Sequence, residues 1–314
     1  MKTFKKQMTF ICAVLSLLSC GKDRTVVPAW DGNDGRAIAF RLAGHGSRLS
    51  VTDAGVLVRD GFAVSGVAAG HARFADRVAT WDASSQLFRT QATFYLPYED
   101  TMSFWAVYPT DMHLQGLPDA PQLSFRQFPG GGQGDAVVAG AQAVGNDDPT
   151  VPLEFRHIFA GLSLSARGAD TLVTYVLRSV TLTAPAEASY RLDTDVWTPA
   201  DRDTSMTIAL GGGAAIQDGG TLRLDDVQGV SVLPGAVRLT VEWDCLQDGV
   251  LVGRYVNSTP VLELGQGHLS EVTIVMGNTL AVPFKFEVSI QAWQGSEKEI
   301  DLGEGAERRP SSLQ

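Results

Sequence analysis

The chain has 314 residues, 44% of them hydrophobic, and a formal charge of −10 at pH 7. That length allows two ordinary domains or one large β domain. The acidic balance argues against binding nucleic acid or an anionic lipid surface, both of which need basic faces.

Chain order begins with Lys2, Lys5 and Lys6, followed by an apolar run from Met8 to Leu18 and by Leu17-Leu18-Ser19-Cys20. Basic, apolar and small-residue regions in that order are the layout of a secretory signal. A small residue followed by Cys at the end of the run is the pattern of a bacterial lipoprotein signal. Residues 1–19 are therefore expected to be removed, leaving Cys20 acylated as the first residue. The run is shorter than the roughly 20 apolar residues that a membrane-spanning helix needs, so the expected anchor is lipid. Losing three lysines and no acid with residues 1–19 leaves a charge of −13 on the rest. Residues 20–35 read as a linker. Asp31-Gly-Asn-Asp-Gly35 has the ingredients of a calcium loop but lacks the later acidic ligand of a helix–loop–helix site.

From residue 36 onward short alternating runs recur, split by Gly, Pro, Asn and Asp, as strands do. Ala37 to Leu42 places Ile38, Phe40 and Leu42 on one face. Gln91 to Leu96 and Met102 to Tyr108 are aromatic-rich strands. The stretch from Gly140 to Pro152 is loose and polar and marks a boundary, so an N-terminal β region at 36–146 and a C-terminal one at 147–295 are expected. Ser163 to Ala166, Leu172 to Leu177 and Ser179 to Thr183 continue the pattern. Val237 to Trp243 alternates strictly, and Gln247-Asp248-Gly249 is a hairpin turn into Val250 to Val256. Glu271 to Met276 follows. Phe284, Phe286, Val288 and Ile290 share one face of the last strand, which predicts a core on that side and water on the other. Residues 296–314 read as a flexible polar tail. No long amphipathic helix stands out, and the fold class is all-β, built from sandwiches.

No catalytic constellation rises above background, so the chain is not expected to be an enzyme. Gly161-Leu-Ser-Leu-Ser165 lacks the final Gly of a nucleophile elbow and lies inside a strand pattern. The glycine runs 130–132 and 211–213 lack the Lys-Ser/Thr of a phosphate loop. The five histidines show no metal-binding spacing, so neither metal nor cofactor is expected beyond the lipid on Cys20. With Cys12 in the signal and Cys20 committed to lipid, Cys245 has no partner. It shares a face with Val241 and Trp243 and reads as a small buried hydrophobe. The aromatic residues Phe94, Tyr95, Tyr98, Phe104, Trp105 and Tyr108 read as core packing, with a sugar platform as the alternative.

Several of these stretches, taken in order, resemble the fimbrillin family of Bacteroidales surface lipoproteins. Met102-Ser-Phe-Trp-Ala-Val-Tyr-Pro109 is similar to the family's aromatic strand and points to Phe104, Trp105, Tyr108 and Pro109. Val151-Pro-Leu-Glu-Phe-Arg-His157, running on to Gly161-Leu-Ser-Leu164, is similar to its most recognisable element and points to Pro152, Leu153, Phe155 and His157. The lipoprotein signal, Lys22-Asp23, Trp81, Phe94-Tyr-Leu-Pro97, Asp135 to Ala139, Leu233-Pro234 and the strand from Phe284 to Trp293 also fit.

The resemblance implies two tandem transthyretin-like β-sandwiches and export to the outer-membrane surface by lipid. It implies that a protease cutting after a basic residue removes the first strand. A strand of another subunit, a further copy or a different fimbrial protein, then fills the vacated groove. Here the removed strand would carry Ala37, Ile38, Phe40 and Leu42, with Arg41, Arg48 and Arg59 as candidate cuts. After Trp293 only Ile300 and Leu302 alternate, which makes a poor donor strand and leaves room for an anchor subunit that keeps its lipid. The alternative is a monomeric outer-membrane lipoprotein that binds a glycan or a host or bacterial surface protein.

Overall fold

The computed structural model describes residues 37–43, 51–97, 100–127, 135–144, 148–217, 219–224, 230–277 and 284–292. Cys20, the signal, the linker, Arg48, Tyr98 and the tail at 296–314 lie outside the described residues.

The chain runs through β1 (Ala39–Leu42), α1 (Val51–Asp60), β2 (Phe62–Ala68), β3 (His71–Asp82), β4 (Leu87–Thr90), β5 (Thr101–Tyr108) and β6 (Gln122–Arg126). β7 (Val137–Val144), β8 (Thr150–Leu153) and β9 (Arg156–His157) follow. All of these strands except β6 form an eight-stranded sheet in the order β8-β1-β4-β3-β2-β5-β7-β9. The sheet curls over its own core, because Phe40 on β1 meets Phe62 on β2 and Phe104 on β5 edge-on, at 6.1 and 5.5 Å. β8 and β9, which lie beyond the stretch marked as a boundary, hydrogen bond within this first sheet.

The second half contains β10 (Ala160–Gly168), β11 (Thr174–Pro185), β12 (Glu187–Arg191), β13 (Val196–Pro199), β14 (Asp203–Ile216) and β15 (Thr221–Arg223). It closes with β16 (Val230–Val232), β17 (Gly235–Gln247), β18 (Val250–Ser258), β19 (Leu262–Leu264), β20 (His268–Met276) and β21 (Lys285–Ala292). One sheet runs β15-β10-β20-β21 with β16 also on β10, and the other runs β14-β11-β17-β18 with β19 also on β17. Their inner faces share one core, which makes a sandwich. Alternation builds it: on β10, Leu162, Leu164 and Ala166 are buried while Ser163, Ser165 and Arg167 are partly exposed. On β11 the inward set changes from Tyr175 and Leu177 to Val180, Leu182 and Ala184. A bulge between Leu177 and Ser179 absorbs the extra residue.

A third, smaller sheet, β13-β12-β6, takes one strand from the first half of the chain and two from the second. Its inner face forms a separate core in which Phe125 packs on Phe159 and Trp197 at 5.0 and 5.3 Å. The described residues thus fall within one compact unit with three cores.

Two features depart from the sequence expectation. The ten-residue helix α1 has no counterpart in the strand pattern; Leu57 and Val58 face the first core, and Ala54, one turn earlier, is buried. It ends at Gly61, whose φ of 76° and N–H to the Leu57 carbonyl, 2.8 Å, close the last turn. A side chain there would meet the Ala79 carbonyl oxygen at 2.4 Å. The second correction concerns β21. Phe284 stacks on Trp243 at 4.7 Å and Phe286 packs against Phe284, but Val288 and Ile290 are 44% and 60% exposed. β21 ends its sheet, and only its first aromatic residues reach the core.

Candidate functional site

Strand β1 occupies a slot between two neighbours of opposite sense. On one side it runs parallel to β8, with Phe40 opposite Val151 and Leu42 opposite Leu153. The Ala39 and Ala43 amides donate to the Pro149 and Leu153 carbonyls at 3.1 and 2.9 Å. On the other side Phe40 pairs with Phe88 of β4, and the Ile38 amide donates to the Phe94 carbonyl at 2.8 Å. Ala37 bridges Tyr95.

Side chains follow from the period of two. Ile38 and Phe40 are buried, Leu42 is half-buried on the same side, and Arg41 points to solvent. The floor of the slot is aromatic: Phe62 lies 4.9 Å from Phe88 and 5.1 Å from Phe155, and Trp81 backs Phe88 at 5.0 Å. Emptying the slot exposes these rings and leaves β4 and β8 with unpaired backbone on facing sides. Buried backbone groups demand partners, so the slot is specific for an extended segment with apolar residues two apart.

The outer edge of β8 is closed to the same chemistry. Carbonyls of Pro149 and Leu153 face β1, so the intervening Thr150 and Pro152 amide positions face outward. The Thr150 N–H is taken by the Asp148 carboxylate at 2.9 Å, and Pro152 has no N–H. The hydrogen bond from Thr150, helped by the nearby Arg41, holds Asp148 below the usual carboxylate range. An edge without free donors resists strand addition.

Two of the three candidate cut positions are described. Arg41 sits within the paired strand β1. Arg59 sits in the last turn of α1, and its guanidinium grips Asp60 at 2.7 and 2.8 Å. That hydrogen bond lowers Asp60 and raises Arg59, and Asp60 also accepts from the Tyr108 hydroxyl at 3.2 Å. Arg48 falls between β1 and α1, outside the described residues.

The remaining motif residues are spread through the first half and do not converge on one point. Phe104 is fully buried in the first core. Trp105, half-buried on the opposite face of β5, packs on the third core and lies over Gly140. Tyr108 precedes Pro109 across a cis peptide bond. Leu153 and Phe155 are fully buried beneath the slot, whereas Pro152 is exposed. His157 is buried and hydrogen bonds through Nδ1 to Asp135.

Sequence patterns missed two polar clusters. Asp244, 2% exposed, is gripped by Arg254 at 2.7 Å and by Arg178 at 2.6 Å. Hydrogen bonds from Arg254, then from Arg178, hold its carboxyl down to about 2. The Tyr190 hydroxyl bonds to Asp195 and accepts from Arg156 at 2.9 Å, while Gln266 donates to Asp195 at 2.8 Å. This second cluster joins β9, β12 and the turn before β20, and burial pushes Tyr190 far up. Charged residues scattered across strands this far apart give no local signal. Among the described residues no group of three or more His, Cys, Asp or Glu is placed to hold a metal ion, and no helix is long and apolar enough to cross a membrane.

Residues 51–293 match the model of a family described as fimbrillin-like. A fimbrial protein from Bacteroides vulgatus superposes with a TM-score of 0.60 at 14% identity, covering 82% of this chain and 99% of its own. A putative cell adhesion protein from Bacteroides uniformis gives 0.49 at 16% identity, covering 82% of this chain and 98% of its own. At 14% identity the likeness to the first concerns the fold alone. No protein of curated function matches the chain.

Proposed function

The chain belongs to the fimbrillin-like family, and on that premise we propose that it is a fimbrial subunit, or a fimbria-associated lipoprotein, that joins its neighbours by strand replacement at the slot of β1. Membership carries a fimbrial or cell-adhesion role at the cell surface and a structural rather than enzymatic character. The finer reading is that the chain reaches the outer membrane through lipid on Cys20. A cut then frees β1, and an extended strand of another subunit or another copy takes its place.

The observation that carries this reading is the chemistry of the slot. β1 is short, apolar on one face and bounded by two paired neighbours, while the outer edge of β8 lacks free donors. A donated strand therefore gains most by entering the slot, where it satisfies two backbone edges and covers an aromatic floor. Of the candidate cuts, Arg41 has its backbone held in a ladder and Arg59 in a helix, and neither presents the free extended backbone a protease reads. That leaves Arg48 as the proposed site. The poor alternation after Trp293 favours a terminal or anchoring position over a repeating stalk position.

Recovering the protein from the surface of its own host and reading its N-terminus and mass tests this. A start at Leu49 without lipid supports strand replacement. A start at acylated Cys20 refutes removal of β1 and moves the reading to an anchor subunit or a monomeric adhesive lipoprotein.

A further inference from the structure

We propose that the exposed face of the β13-β12-β6 sheet binds an acidic glycan, an oligosaccharide that carries a carboxylate. The proposal deepens the adhesive reading above and rests on it.

Cross-strand register sets Ser124, Ser189 and Thr198 side by side in one row across the three strands. At a strand spacing of roughly 4.8 Å the row is about 10 Å long. Alternate residues of the same strands, Phe125, Ala188 and Trp197, point the other way into the third core. Facing hydroxyls elsewhere in the protein satisfy each other: Thr181 with Thr207 and Thr183 with Ser205 at 2.9 Å, and Thr240 with Ser258 at 2.8 Å. The row of Ser124, Ser189 and Thr198 has no such partner among the described residues. These hydroxyls line an open concavity of about 530 Å³.

Charge marks one side of the row, where Glu187 pairs with Arg126 in the next register position on the same face. Arg126 and Arg202 both reach the same oxygen of Glu187, Oε1, at 3.4 and 3.2 Å. Two guanidiniums on one carboxylate leave a net positive charge in a chain of formal charge −10. The arginine side chains are 77% and 74% exposed, so most of each donor fork is free. On the other side Arg191 is already neutralised by Asp193 at 2.5 Å.

A guanidinium fork matches a carboxylate, and a hydroxyl that both donates and accepts matches the hydroxyls of a sugar. An extended peptide is the weaker candidate, because peptides pair along a sheet edge, which here is the outer side of β6 or β13, and leave the row of hydroxyls on the face unused. A small inorganic anion would engage the arginines and leave the row unused.

The test measures binding of 3′-sialyllactose and of trigalacturonate to the full-length chain by calorimetry. Lactose, the carboxyl-reduced trimer and hexaglutamate serve as comparisons. The expected result is binding of at least one acidic sugar, at least tenfold tighter than its neutral counterpart. The double variant Arg126→Ala with Arg202→Ala should lose at least tenfold, and Ser189→Val with Thr198→Val severalfold, with unchanged thermal midpoints. Binding of neither sugar, equal binding by the arginine variant, or equal binding of the neutral sugar or of hexaglutamate overturns the proposal. Surface N-terminal sequencing reads strand removal separately, so failure here leaves the assembly reading standing and failure there leaves this assay unaffected.

Discussion

Strand replacement predicts that β1, once cut from the chain, behaves as an exchangeable ligand whose affinity rests on Phe40. The perturbation is a specific protease site placed within residues 44–50 of the full-length chain, cleaved after folding. The nicked protein is then challenged with labelled peptides of residues 37–43. Phe40 is 1% exposed and meets two aromatic rings within 6.1 Å. Truncating such a side chain costs about 3–5 kcal/mol, and each 1.4 kcal/mol is tenfold in affinity. The Phe40→Ala peptide should therefore compete at least about 100-fold less well than the native one. The Arg41→Ala peptide alters only a solvent-facing residue and should stay within about 0.5 kcal/mol. Fluorescence anisotropy reads the exchange. Equal competition by the Phe40→Ala peptide, or a nicked protein that loses β1 with no change in thermal midpoint, would refute the slot as a binding site.

Three further outcomes follow from the same structure. Replacing Asp244 by Ala leaves Arg178 and Arg254 facing each other. Both arginines are partly exposed and can turn to water, so the expected loss is about 1–3 kcal/mol rather than the full cost of a broken buried pair, measured by urea unfolding. Because the folded-state pKa of Asp244 is lowered from 3.8 to about 2, its contribution is complete above pH 4 and fades as pH falls through 2; the gap between wild type and Asp244→Asn should close over that window. Cys245 is fully buried and burial pushes its thiol up to about 11, so alkylation at pH 8 should be undetectable by mass spectrometry in the native protein and complete in denaturant. Trp105→Ala should lower stability by about 2–3 kcal/mol in chemical denaturation, since the half-buried ring packs on the third core; a neutral effect would make the ring a surface platform.

What the sequence by itself determined is the local pattern. Alternation along β10 and β17 named the inward residues, because a strand's period of two shows in its own few residues. The turn at Asp248 and Gly249 was equally local, and both residues take the positive φ, 50° and 77°, that a two-residue hairpin requires.

Other features were legible only in part. Ile38, Phe40 and Leu42 were readable as one apolar face, but their partner was not. Phe40 lies opposite Val151, more than a hundred residues on, and no local pattern encodes which strand will be parallel to which. α1 was hidden because a short run of buried and half-buried residues at Ala54, Leu57 and Val58, with Gly55 among them, makes a weak helical stripe. β21 carries the alternation of a half-buried strand, yet its place at the end of a sheet leaves Val288 and Ile290 in solvent.

The tertiary structure alone decided the sites. A bulge in β11 accompanies the pairing of Arg178 with Asp244, and three strands from both halves of the chain align Ser124, Ser189 and Thr198. The physical reason is one of range. Side-chain alternation is set by neighbours along the chain, whereas register, edge position and the meeting of distant charges are set by how whole sheets pack.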